Sequence, residues 1–446
     1  MEVLLSRLFH LKAGEVSLLL VLGFVLFSNS LAQKVSEIAS ISNFLSNVGP
    51  PQFLIVLIIS SIIGIVMTGL QSLLVDRFDR VLIVRYSSTG LAIAFILLRL
   101  MFLFRWPEWL SYGFFYLLSD LQIIFFPMAF WVLANDIFDV TQSKRIFPLL
   151  ASLGFIGNLT GIGITAISPF IFLRLSIKSE EILLVNILIY FLVSAVLELG
   201  LRQIRLRKTY RKPETMKETL SEGWNFVKDV PAFRLLTISI VATIVCETIL
   251  EFHFYTVSEQ AFQNASHYQT FLSLFTLART LLYIAIQSFL TQRIIATMDL
   301  KNTFLIQPIC SLVGSFVMLG VPSLIGGVTG LALQKLPQYT IDETARKAFQ
   351  GLVPEERRGR VSLFMDSYLF AGGVIGGAII TGVFIIISRT TQGSWAFYGY
   401  LGASVAASSV AIWAVFKVRQ VYDSSLLNWR LKRRQRGKSV LDRLEF

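Results

Sequence analysis

Long apolar runs alternate with short polar turns along the whole chain. Twelve runs come near or above the ~20 residues that cross a bilayer as one helix. They cover roughly 15–36, 51–75, 81–104, 109–135, 147–173, 181–201, 232–257, 267–292, 302–320, 323–345, 360–388 and 395–417. The seventh is the least regular, because Glu247, Glu251 and His253 interrupt it. The first run merges into a small polar stretch, Ser36 to Asn47, which extends the helix or forms an external loop. The pattern predicts a short cytoplasmic N-terminus (1–14), a six-helix bundle (15–201), a cytoplasmic linker (202–231), a second six-helix bundle (232–417) and a tail (418–446). The linker, charged and broken by Pro213, is mildly amphipathic beyond it. A helix lying at the membrane surface is expected there.

One hairpin occurs twice. From Phe130 to Gly163, FWVLANDIFDVTQSKRIFPLLASLGFIGNLTGIG, an apolar helix ends in Asn135-Asp136, a turn carries Lys144-Arg145, and a glycine-studded helix follows. From Gln334 to Gly377 the order repeats, with Asp342-Glu343 as the acidic pair and Arg357-Arg358 in the basic turn. The pairs Gly157/Gly161 and Gly373/Gly377 put small residues one turn apart, the pattern of close helix packing in membranes. Facing an opposite half, such thin surfaces would also permit sliding.

Composition agrees with the pattern. Of 446 residues, 54% are hydrophobic and 15% charged, far too apolar for a soluble domain. Two cysteines within apolar runs suggest no disulfide, and three unpaired histidines suggest no metal site. No nucleophile elbow, phosphate-binding lysine loop or zinc motif occurs, so neither an enzyme nor a cofactor is expected. The net charge of +12 could suggest nucleic acid, but its placement decides. With both termini cytoplasmic, all but eight of the 40 Lys and Arg belong to the termini, the cytoplasmic connections or the span ends beside them. Arg105, Arg174, Lys178 and Arg389 fall outside, and Lys34, Arg99, Arg279 and Lys335 within spans. The basic tail NWRLKRRQRGKSVLDRLEF then meets anionic lipid of the inner leaflet rather than nucleic acid. The N-terminus, MEVLLSRLFHLKAGEVSLLL, reads as an uncleaved start.

Ionisable side chains inside spans are costly, and so mark function or pairing. Lys335 lies about twelve residues into span 10, near mid-depth at ~1.5 Å per residue. Pro337 follows and breaks the helix beside it, with Pro127 of span 4 a rough counterpart. Arg279 is central in span 8, with Ser273, Thr276 and Thr280 near its face. Asp120, mid-depth in span 4, is a candidate partner for Arg279 or Lys335 in one gating state. Glu247 and Glu251, one turn apart, either carry a proton or neutralise Lys34, Arg279 or Lys335. Thr243 and Tyr255 continue their stripe. Lys34 and Glu37 form an i,i+3 pair near the outer end of span 1, and Arg99 suits a structural pair or snorkelling. An anionic solute needs guanidinium or ammonium donors, so Arg279, Lys335 and Lys34 are its candidate ligands, with Asp120, Glu247 and Glu251.

Two resemblances sharpen this. Leu74-Val75-Asp76-Arg77-Phe78-Asp79-Arg80 resembles the DRxxR turn of the major facilitator superfamily. There Asp76, Arg77 and Arg80 would pair with helix ends and stabilise a gate. The implied fold is an all-α membrane protein of major facilitator type, with twelve transmembrane helices in two pseudo-symmetric six-helix bundles. WVLANDIFDVTQSKRIFPLLASLGFIGN resembles the fourth-to-fifth hairpin of the nucleotide transporter (ATP/ADP translocase) family, whose turn reads AKR-x-(F/Y)-x-L. Phe44 to Arg80 resembles that family's second span. Where the family carries a basic–acidic pair, Glu37 to Ser42 reads EIASIS here. Gly351 to Arg360 is similar to related bacterial transporters, which implies a bacterial plasma (inner) membrane. The family's activity is exchange of ATP, ADP or other nucleotides without hydrolysis. The expectation is therefore alternating access for a small anionic solute bound at mid-membrane. Asn135, Asp136, Lys144, Arg145, Asp342, Glu343, Arg357 and Arg358 then serve as hinge and inner gate. A proton-coupled exporter of an amphipathic compound and a transport-silent scaffold are the alternatives.

Overall fold

Lipid offers a backbone no hydrogen bonds, so apolar runs must satisfy their own amides as helices. A computed structural model describes residues 15–77, 79–202, 216–262, 264–351, 353, 355–391 and 395–441, apart from the side chains of 71–77, 140, 216–220, 355–356 and 422–441. The N-terminal 14 residues, most of the linker before Met216, the side chains of Asp76 and Arg77 and those of the basic tail from 422 lie outside this description. Eleven of its helices are long and apolar enough to cross a membrane. By contact, the chain divides into Met1–Met216 with Ser258–Ala278, and Lys217–Val257 with Arg279–Phe446.

The first unit contains α1 (Glu15–Asn47), α2 (Pro50–Arg77), α3 (Arg80–Leu103), α4 (Glu108–Ile137), α5 (Val140–Leu175) and α6 (Leu183–Leu201). Helix α1 is its centre, burying Leu22, Val25, Ala32, Val35 and Ala39 against α4, α5 and α6. Gly157 and Gly161 of α5 meet the α1 backbone: a Cβ on Gly161 would lie 2.7 Å from the Leu31 carbonyl oxygen. The glycine pair therefore serves packing inside its own unit. Buried polar side chains fix the register. Gln122 donates to the Tyr190 hydroxyl (2.8 Å), which donates to Asn29 (2.9 Å), linking α4, α6 and α1. Asp139 starts α5 with a capping box, accepting from Thr141 and Gln142 while the Gln142 side chain accepts from its amide.

Helix α5 carries Pro169 four residues after Thr165, so the Thr165 carbonyl loses its helical donor. Gln269, on the part of α9 (Ala265–Ile286) that belongs to this unit, supplies one instead. Its amide donates to the Thr165 carbonyl at 3.1 Å and to the Ser168 hydroxyl at 3.0 Å. All three residues are buried.

The second unit contains α7 (Met216–Asp229), most of α8 (Pro231–Ala261), the rest of α9, α10 (Gln292–Met298), α11 (Leu300–Thr303) and α12 (Ile306–Gly320). It continues with α13 (Leu324–Pro337), α14 (Glu343–Gln350), α15 (Glu355–Leu363), α16 (Leu369–Thr390) and α17 (Ala396–Leu441). The glycine device recurs: Gly373 and Gly377 of α16 meet Ile244 and Thr248 of α8, with a Cβ on either at 2.7 Å. Gly314 of α12 and Gly330 of α13 face each other's carbonyls in the same way. Helix α7, the helix expected in the linker, buries Phe226 and Val227 and extends an aromatic row through Phe233, Phe349 and Phe304. The run expected at 323–345 is divided at Pro337: α13 ends there, Gln338–Asp342 form a π-helical turn, and α14 follows. No single helix of spanning length covers it, although its parts continue one another.

Candidate substrate site

The break after α13 builds the site. Pro337 has no amide proton, so the Leu333 carbonyl loses its i+4 partner. The turn widens, and the Glu343 amide reaches back five residues to the Gln338 carbonyl. Gln307 of α12 donates to the Gln334 carbonyl at 3.0 Å, supporting the rearranged strand of backbone. Such π-turns re-aim the side chains around them and recur at functional sites. Here Lys335 precedes the turn, while Gln338 and Tyr339 open it.

Across from them, Glu247 and Glu251 share one face of α8 because four residues make about one turn. Lys335 Nζ lies 2.5 Å from Glu247 Oε1 and 3.1 Å from Glu251 Oε2. Gln338 donates to the other Glu247 oxygen at 2.6 Å, and the Tyr255 hydroxyl donates to the other Glu251 oxygen at 3.1 Å. Every carboxylate oxygen of the pair thus has a donor. Lys335 and Glu247 are 5% and 3% exposed, a depth at which an unpartnered charge would be prohibitive. The Lys335 ammonium also stands 5.6 Å from the Tyr339 ring centre. Tyr339 is tilted against Tyr283 of α9, centroids 5.6 Å apart, and the Arg279 guanidinium lies 5.9 Å from Tyr283. One unit therefore gathers two cations, two carboxylates and two aromatic rings, with formal charge cancelling among the four ions.

Below this cluster a cleft of about 190 Å³ opens between α8, the π-turn and α14. Gln338 and Tyr339 belong to both. Asp342, Glu343, Arg346, Lys347 and Asp366 give the cleft its charge, with Arg346 2.8 Å from Asp342 and Lys347 2.5 Å from Asp366.

The remaining candidates have contacts within their own units. Asp120 accepts from Ser60 of α2, within the first unit. Lys34 is held by Glu37 at 2.6 Å, partly exposed. Arg99 pairs with Glu181. Among the gate residues, Asp136 receives Arg80, joining the two turns of the first unit. Arg145 lies 3.4 Å from Glu15, Lys144 is exposed, and Asn135 bonds its own helix at the Trp131 carbonyl. In the second unit Asp342 takes Arg346, and Glu343 is exposed. Arg357 is 3.3 Å from Glu222 of α7, while Arg358 caps the Val353 and Gly351 carbonyls. The two acidic pairs thus have different basic partners. Sequence reasoning had not singled out Gln338, Tyr339 or Tyr283. The π-turn beside a buried lysine, predictable from Pro337, was the available signal for the first two.

The ATP/ADP transporter family model (TLC) matches residues 45–334, well over half of the chain. No curated protein matches it. Among solved structures, the nucleoside transporter NupG is similar at 14% identity and TM-score 0.63, over 91% of this chain and 99% of that one. An auto-inhibited POT family peptide transporter gives 14% and 0.62, over 90% and 96%. A bacterial homologue of the human lysosomal transporter Spinster gives 12% and 0.58, over 94% and 98%. At these identities the likeness is one of fold, that of major facilitator transporters, as the sequence pattern implies. With that fold, and with the family's pattern running from the end of α1 through α13, the chain is a multi-pass membrane transporter belonging to the TLC ATP/ADP transporter family.

Proposed function

We propose that the protein exchanges nucleotides, or closely related organic phosphates, across a bacterial inner membrane by alternating access. The observation that carries this reading is the conjunction of Lys335 and Arg279 with the Tyr283–Tyr339 ring pair in one cluster. Phosphate needs charged donors, and a base is well served by aromatic faces. A peptide or sugar would use the rings or the charges but has less use for both together. Lys335, already neutralised by Glu247 and Glu251, exchanges Glu247 for phosphate oxygens when substrate arrives. That exchange keeps the ammonium paired in both states, which holds down the cost of emptying the site.

The twelve-span organisation with bundles at 15–201 and 232–417 and cytoplasmic termini belongs to this proposal. So do Lys34 as a further cation on the path and the paired Arg80–Asp136 and Arg346–Asp342 turns as cytoplasmic gates. The test is counterflow in proteoliposomes preloaded with ADP. Labelled ATP should accumulate against unlabelled ADP, and Arg279→Ala and Lys335→Ala should each abolish accumulation. Equal counterflow by a neutral nucleoside, or none by any nucleotide, would remove the proposal.

A further inference from the structure

Gln338 is 5% exposed and belongs to both the buried ion cluster and the inner cleft. Its Nε2 donates to Glu247, but its Oε1, also buried, has no hydrogen-bond partner among the described residues. An orphaned buried acceptor is unfavourable, and native proteins answer one with water or a ligand. The cleft on this side is polar and roomy enough for several waters. Gln338 lines the cleft, so water there stands within one side chain of the Glu247 carboxylate.

A primary amide at that position can answer two states of its neighbour. With Glu247 ionised, the Gln338 N–H donates to it, as observed at 2.6 Å. With Glu247 protonated at Oε2, the amide turns over and its carbonyl accepts the new O–H. Neither state leaves Glu247 unsatisfied. Lys335 keeps a carboxylate in both, since Glu251 remains 3.1 Å away with Tyr255 on its second oxygen.

From this geometry we infer that Glu247 is a proton-binding site fed from the inner cleft past Gln338, and that its protonation is coupled to substrate. The step is a proton transfer: hydronium in the cleft loses H⁺ to Glu247 Oε2, an O–H bond forms, and water remains. The local charge becomes more positive by one, so the site binds an anion better. The groups facing Glu247 are arranged for this change. Lys335 and Tyr339 come from the broken helix, and Tyr283, with Arg279 beside it, from α9. Asp342 and Arg346 act from the cleft, and Glu251 and Cys246 from its own helix. The inference rests on the nucleotide reading for its cargo, but not for the proton.

The test is calorimetry of ADP binding to the purified full chain in buffers of different ionisation enthalpy, which counts protons taken up on binding. Uptake approaching about one proton per ADP is expected, falling to zero in Glu247→Gln. ADP binding with no proton uptake by the wild-type protein from pH 5 to 8 overturns the coupling alone. Absence of ADP binding overturns the nucleotide reading instead. The proton site then stands or falls on a carboxylic-acid infrared band that appears on acidification and is lost in Glu247→Gln. A band that persists in the variant sinks the assignment to Glu247.

Discussion

Replacing Lys335 with alanine tests the site at its centre. The ammonium separates two carboxylates, and its removal leaves Glu247, 3% exposed, without its charge partner and beside a like charge. Deleting one member of a buried ion pair costs ~3–5 kcal/mol where the survivor cannot reach water. Glu247 keeps Gln338, and Glu251 is 28% exposed at its side chain, so the lower end, about 3 kcal/mol, is expected. The effect on an anionic substrate is larger than on folding. The four-ion cluster changes from neutral to −1, and a phosphate charge ~4 Å away at an effective dielectric of ~20 feels ~4 kcal/mol. Partial exposure of Tyr339, 43%, admits water and screens this. Even ~2 kcal/mol weakens binding by about 30-fold. The assay pairs thermal unfolding in detergent with equilibrium binding of ADP, for Lys335→Ala and for Lys335→Met with Glu247→Gln. The double variant returns the cluster to neutral and should recover most of the stability without recovering transport. Wild-type ADP affinity in Lys335→Ala would refute the assignment of phosphate to this cluster.

Other expectations follow from single contacts. Glu247→Gln, which leaves Lys335 with Glu251 and the cluster at +1, should bind ADP several-fold tighter yet exchange it more slowly, read by binding and by counterflow. Gly161→Leu places a side chain against the Leu31 carbonyl and Lys34 Cβ, so unfolding should occur ~2–3 kcal/mol sooner or the protein should fail to accumulate in the membrane. Gln269→Leu strips the Thr165 carbonyl of its side-chain amide donor, for a loss of ~1–3 kcal/mol in thermal or denaturant unfolding. Glu222→Gln removes the pairs with Arg357 and Arg360, both partly exposed, and should cost less than ~1 kcal/mol, a control for the buried pairs.

What the sequence reveals depends on how local the cause is. Apolar period and length found the helices, because a continuous apolar run of ~20 residues in lipid satisfies its backbone as a helix. Lys34–Glu37 and Asp342–Arg346 are legible from spacing alone, since i,i+3 and i,i+4 residues meet on any helix. Glu247, Glu251 and Lys335 were legible as individuals, because a charge in an apolar run has no cheap explanation. Their union was not. It brings α8 to α13 across more than eighty residues and depends on the register of both helices. Lys335 could on paper have been paired with Asp120, equally conspicuous in its run; the structure gives it the two glutamates. Arg357 and Arg358 show the same limit. Their place in the turn was plain, but their partners, Glu222 on α7 and two loop carbonyls, are set by how α7 docks.

The glycine pairs make the physical point most clearly. A G-xxx-G spacing states that some backbone approaches closely, but a helix has no mark that says which neighbour. In both units the answer is a helix that carries charge within its span: α1, with Lys34, under Gly157 and Gly161, and α8, with Glu247 and Glu251, under Gly373 and Gly377. Close packing fixes those helices more firmly than bulky side chains would, since a Cβ at either position would collide with backbone or a β-branched stem. In α8 this bears on the proposed role of Glu247. A carboxylate that must exchange one hydrogen-bond partner for another while buried needs a backbone that does not move with it. The glycine contacts at Ile244 and Thr248 bracket Glu247 on its own helix, so the change of partner falls on Gln338 and the π-turn opposite, where Pro337 has already loosened the backbone.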